Sequence, residues 1–136
     1  MESFKNNISA FDGKWECSKI AGLQELLQEV DLKKHGIQQA IKPVYTFSFN
    51  KDGQNFRFSN GVFTKVVPIG KSYDDRIGNQ ECRSIVEVEE GKMVKNLSFK
   101  NSLSKNAVVQ RSVFGEKMIE VIEFGGKTVI RTFRKF

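Results

Sequence analysis

From Val44 onward the chain alternates apolar and polar residues in short runs broken by turn dipeptides, the period-two signature of β-strands with one buried face. Val44 to Phe49 and Asn55 to Phe58 alternate about the turn Lys51-Asp52-Gly53. After Ser59-Asn60-Gly61 comes Phe63 to Ile69, where Pro68 marks an edge, an end or a bulge because proline cannot donate to a ladder. Gly70 and Asp74-Asp75 punctuate a short segment, and Cys82 to Val88, Lys92 to Phe99, Val108 to Phe114, Met118 to Phe124 and Thr128 to Lys135 follow as strands. An earlier strand, Phe11 to Ile20, sets Phe11, Gly13 and Trp15 on one parity.

Between the first strand and Pro43 the period changes. Leu23, Leu26, Leu27 and Val30 stand at helical spacing, and Leu32, Ile37 and Ala40 resume the pattern after Asp31. Asp31 suits the cap of a second helix and Pro43 stops further helix, so residues 22–40 read as two short helices with a tight break. About ten strands in successive hairpins do not stay open and flat, which predicts a closed antiparallel barrel or two packed sheets.

The last two hairpins predict a specific juxtaposition. Gly115-Glu116 and Gly125-Gly126 read as two-residue loops, and such loops set the register of the strands they join. Arg111 then stands opposite Glu120, and Glu120 opposite Arg131, so the three side chains share one face within reach of ion pairing. A slip of one residue in either turn would send a whole strand's side chains to the other face.

Composition narrows the class. The 136 residues suit one domain, 1–136, with residues 1–10 a polar N-terminal arm. No apolar run approaches the roughly 18 residues of a membrane helix, and the opening residues lack a secretory pattern, so a cytoplasmic protein is expected. Cys17 and Cys82 lie far apart without a CxxC motif and read as free thiols in a reducing compartment. The net charge of +6 suits an anionic partner, but no run of five or six basic residues marks a nucleic-acid tail. No GxSxG, HExxH or GxxxxGK motif is present, and a glutamate held between arginines has its pKa pushed away from general-base duty, so no enzyme is expected. His35 has no neighbouring histidine or cysteine, and neither a metal nor a cofactor is indicated.

Several segments resemble the intracellular lipid-binding proteins, the group of fatty-acid-binding and cellular retinoid-binding proteins. Phe11-Asp12-Gly13-Lys14-Trp15 is similar to that family's FxGxW, and the helix pair leads into Lys42-Pro43. Phe58-Ser59-Asn60 is similar to an F-x-N turn, Ile69 to Asp75 to LGxxFDE, and Arg131-Thr132-Phe133 to a closing R-x-Y. The resemblance covers nearly the whole chain, although the helical region is shorter and the arm longer than the pattern. It implies a mainly β fold: a ten-stranded antiparallel β-barrel (β-clam) with a helix-turn-helix lid near the N-terminus.

It also implies a function, the carriage of a long-chain fatty acid or related lipid in an internal cavity by a monomer. In the family two arginines and a tyrosine commonly hold the ligand carboxylate. Arg111 and Arg131 match the arginines, while Phe133 replaces the tyrosine and removes a donor. Retinol binders resemble this chain in the phenylalanine, yet usually carry glutamines at the two cationic positions. Glu120 stands where the resemblance places a small or apolar residue, and as a built-in counter-ion it would weaken fatty-acid binding and favour a neutral head. Phe58 is the portal candidate, and Lys33 and Lys34 on the lid would favour transient contact with anionic membranes. A retinoid or other neutral lipid is the alternative ligand; a basic β-barrel binding nucleic acid or protein is the alternative class.

Overall fold

The computed structural model describes residues 10–22, 43–61, 63–77, 80–89, 91–99 and 106–136. The expected helix pair, with Lys33, Lys34 and His35, lies outside the described residues, as do residues 1–9 of the N-terminal arm. Ten strands form one sheet: β1 (Gly13–Ala21), β2 (Val44–Phe49), β3 (Asn55–Ser59), β4 (Thr64–Pro68), β5 (Tyr73–Ile77), β6 (Gln80–Glu89), β7 (Lys92–Phe99), β8 (Asn106–Phe114), β9 (Lys117–Phe124) and β10 (Lys127–Lys135).

Every ladder is antiparallel, and the spatial order runs β4-β3-β2-β1-β10-β9-β8-β7-β6-β5. The chain order is thus a meander whose first strand lies beside its last, leaving β4 and β5 as the sheet's two ends. Other contacts draw those ends together. Ile69, just past β4, bridges to Val86 of β6, and the Gly70 amide donates to the Val86 carbonyl at 2.7 Å. The result is a nearly closed ten-stranded barrel, with Pro68 at the end of the edge strand β4 where its missing donor costs least.

The hairpins that set the predicted row have the expected loops. Phe114 pairs with Lys117 around Gly115-Glu116, and Phe124 with Lys127 around Gly125-Gly126. Gly125 and Gly126 both take positive φ, 57° and 79°, the left-handed pair that a type I′ turn requires. β1 departs from simple alternation: its register with β10 shifts between Cys17 and Lys19. This bulge makes Ile20, rather than Lys19, the next half-buried residue after Trp15 and Cys17.

The apolar interior has two clusters. One gathers Phe11, Trp15, Tyr45, Phe47, Phe56, Met93, Met118 and Phe133 with their neighbours, its aromatic rings contributed largely by β2 and β3. The other joins Cys82, Leu97, Phe99, Ala107, Val109, Phe124 and Val129. Cys17 and Cys82 are both buried, and the Cys17 thiol donates to the Lys19 carbonyl at 3.4 Å.

Candidate functional site

A band of polar side chains separates the two clusters. On β8, Arg111 lies between Val109 and Val113; on β9, Glu120 lies between Met118 and Ile122; on β10, Arg131 lies between Val129 and Phe133. In each case one apolar neighbour packs with the first cluster and the other with the second. The predicted register is observed: Arg111 pairs with Glu120, and Glu120 with Arg131.

The row faces inward. Glu120 is 0% exposed, Arg131 5% and Arg111 8%, so this is a buried ionic network and not a surface ladder. Arg111 Nε donates to Glu120 Oε2 at 2.8 Å, and Arg131 Nη1 donates to Glu120 Oε1 at 3.2 Å. One carboxylate therefore serves two guanidiniums, which offsets the cost of burying charge. Burial alone would raise the Glu120 carboxyl, but the two cations and their hydrogen bonds overcome it and hold the group below the usual carboxylate range.

The network has a fourth member that hairpin reasoning cannot reach. Tyr45 of β2 donates its hydroxyl to Glu120 Oε2 at 2.9 Å and accepts from Arg131 Nη1 at 3.1 Å. Its ring stacks on Phe133 with centroids 4.7 Å apart. Phe133 lacks a hydroxyl, and Tyr45 brings one in from another strand while Phe133 supports its ring. A signal for it existed in the alternation of Tyr45, Phe47 and Phe49, which set tyrosine on the aromatic face of β2. Burial, followed by the Glu120 charge, pushes the Tyr45 hydroxyl up to about 12, so it stays a neutral donor.

Aromatic rings enclose Arg111. Its guanidinium carbon lies 5.1 Å from the Tyr45 ring centroid, 5.5 Å from that of Phe58 and 5.7 Å from that of Phe47. Nη1 also reaches Met93 Sδ at 3.5 Å. Phe58 is half-buried beside Tyr45 and Phe47, with ring centroids 5.1 and 5.2 Å away, in the aromatic cluster that covers the row.

The polar band continues past the row. On β7, Lys95 lies between Met93 and Leu97, and on β6, Ser84 lies between Cys82 and Val86. Asp75 of β5 binds Lys95 Nζ through Oδ2 at 2.7 Å and accepts the Ser84 hydroxyl on the same oxygen at 2.9 Å. Its other oxygen pairs with Lys65 of β4, an ion pair across the two ends of the sheet. Burial would raise the Asp75 carboxyl; Lys95 and Lys65 outweigh it and hold the group far below the usual range. Sequence reasoning passed over this second cluster because Asp74-Asp75 reads as punctuation and not as strand, although β5 to β7 are joined by short connections, and because Lys65 joins only across the two ends of the sheet.

No protein-family model matches the chain. Gastrotropin from Sus scrofa is 29% identical over 132 residues, covering 93% of this chain and 98% of that protein. Among solved structures, the Schistosoma mansoni fatty acid binding protein in complex with arachidonic acid aligns with a TM-score of 0.78 at 20% identity, over 96% of this chain and 98% of its own. Echinococcus granulosus fatty-acid-binding protein 1 aligns with a TM-score of 0.76 at 19% identity, over 93% and 98%. The chain is thus similar to gastrotropin along the length of both proteins and shares its ten-stranded barrel fold with the two fatty-acid-binding protein structures.

Proposed function

We propose that the protein is a carrier, not an enzyme, that holds a long-chain fatty acid or similar lipid inside the barrel. The single observation that carries this reading is an ionic row buried at 0–8% exposure within an aromatic interior, in a barrel like that of the Schistosoma protein in complex with arachidonic acid. Apolar contact along the lipid tail supplies most of the affinity, at about 25 cal/mol per Å² removed from water. Arg111 and Arg131 orient the polar group that reaches them, and Glu120 modulates their choice. Its carboxylate already takes both guanidiniums, so the row favours a neutral polar group over a second carboxylate. The same occupancy favours a retinoid or other neutral lipid as the second reading.

Phe133 supports Tyr45 in this scheme. Phe58, with Lys33 and Lys34 of the expected helical lid, forms the entry, where lysines meet anionic membranes transiently. A cytoplasmic monomer without cofactor fits this use. A nucleic-acid-binding barrel would need aromatics interleaved with lysine on an open face, whereas Tyr45, Phe47, Phe56 and Phe133 are buried.

Native mass spectrometry of the purified protein, with extraction of whatever copurifies, tests the carrier directly. Retained lipid is the expected result; absence of lipid together with no displacement of a fluorescent fatty acid would overturn it. Glu120→Val converts the row to two unopposed cations and should tighten oleate binding about tenfold. Unchanged or weaker binding would remove Glu120 from its modulating role.

A further inference from the structure

Among the described residues the charges inside the barrel do not balance. Arg111, Arg131, Lys95 and Lys65 face Glu120 and Asp75, four cations against two anions in one continuous polar band. The Asp75 side chain is 3% exposed, that of Lys95 14% and that of Lys65 27%, so the excess charge at this end is largely shielded from water. Each lysine ammonium has three donors, and both turn to a single carboxylate that Ser84 and the Arg76 amide also use. Beside them the Tyr73 hydroxyl is buried and has no partner within hydrogen-bond geometry among the described residues. Lys65 lies 5.8 Å from the Tyr73 ring centroid, and both lysines bind Asp75, two residues along β5 from Tyr73, so the three donors share one neighbourhood.

That place is next to the seam between β4 and β5, the two ends of the sheet. The arginine row differs in this respect, since Glu120 and Tyr45 already engage it deep between two apolar clusters. We infer that Lys65, Lys95 and the Tyr73 hydroxyl form a second polar subsite that takes the carboxylate of an amphipathic acid, with Asp75 as its internal counter-ion. Two lysines and one aspartate leave a single positive charge, which a monoanion neutralises; a phosphate dianion would leave an excess negative charge in a shielded site. The acid end of the lipid therefore lies at the seam, and the arginine row meets whatever neutral polar group the rest of the molecule carries.

This inference rests on the carrier reading, and paired probes separate the two. Oleate and oleyl alcohol share a tail and differ at the head, so the ratio of their affinities, from displacement of a fluorescent fatty acid, reports head-group recognition alone. Lys95→Met should weaken oleate about tenfold and leave the alcohol within about twofold. Asp75→Asn keeps the side-chain shape, frees both lysines and should tighten oleate about tenfold without moving the alcohol; it serves as the test if Lys95→Met does not fold. A ratio unchanged by both substitutions overturns the subsite while the carrier stands, because oleate still binds. If neither probe displaces the fluorophore from the unsubstituted protein, the carrier reading fails and the subsite with it.

Discussion

A single carboxylate decides the character of the arginine row. Glu120 accepts from Arg111, Arg131 and Tyr45 at 0% exposure, so removing its charge strands two guanidiniums in an apolar interior. Glu120→Gln should cost the ligand-free protein about 3–5 kcal/mol in urea denaturation, the usual consequence of breaking a buried pair from one side. Tyr45→Phe keeps the stack on Phe133 but loses two hydrogen bonds, for which about 1–3 kcal/mol is expected in the same measurement. The tyrosines also provide an optical check. Burial pushes the Tyr45 hydroxyl up to about 12, and burial together with Asp75 raises that of Tyr73 well above its ordinary value. These are the only two tyrosines in the chain. A raised folded pKa contributes stability present below the unfolded value of about 10 and lost as pH climbs through the folded one. Tyrosinate absorbance at 295 nm should thus stay low at pH 10.5 and appear only as the protein unfolds; ordinary titration near 10 in folded protein would contradict the buried network.

At the scale of elements, the hairpins and the bulge of β1 differ in how much can be read from the chain alone. The β8–β9 and β9–β10 loops place Arg111, Glu120 and Arg131 in register through two residues each, because backbone twist admits few loop conformations. The Cys17/Lys19 shift in β1 has no comparable signal in the sequence; it falls just past the residues that pair with β2, where β1 continues against β10 alone. Two glycines separate backbone strain from close approach. At Gly126, φ is 79° and a Cβ would meet nothing within 4 Å, so Gly126→Ala should cost about 1 kcal/mol from conformation alone. At Gly22, φ is 84° and a Cβ would stand 2.1 Å from the Thr128 carbonyl oxygen, so Gly22→Ala should cost about 3 kcal/mol or more. Thermal denaturation of the two variants side by side checks the difference; equal losses would mean that β1 moves away from β10 freely.

Across the whole molecule, two buried acids tie stability to pH. Glu120 and Asp75 both have folded pKa values held below the ordinary range, by cations that outweigh the effect of burial. Their contribution is complete above the unfolded values of about 4 and is lost as pH falls through them toward the folded ones. Tm should therefore hold down to about pH 5 and drop steeply below about pH 4. Asp75→Asn should flatten that drop, and an equally steep profile would assign the acid sensitivity to other groups.

Much of this was legible before any coordinates. About ten strands in a meander and the register of the row follow from alternation and turn chemistry, which act over a few residues, while Pro68 leaves an edge, an end or a bulge open. The resemblance to the lipid-binding family added the direction in which the row faces, which register cannot supply because both faces of a strand have the same period. Only the tertiary structure brought Tyr45 of β2 onto Glu120 of β9, and Lys65, Asp75, Ser84 and Lys95 together from four strands. The Tyr45–Glu120 and Lys65–Asp75 contacts depend on barrel closure, a balance of burial over the entire sheet that no short stretch of residues encodes. The sequence by itself thus determined which charges stand side by side; the closed barrel decided which face was buried, what satisfies those charges, and where two further cations meet an acid at the seam.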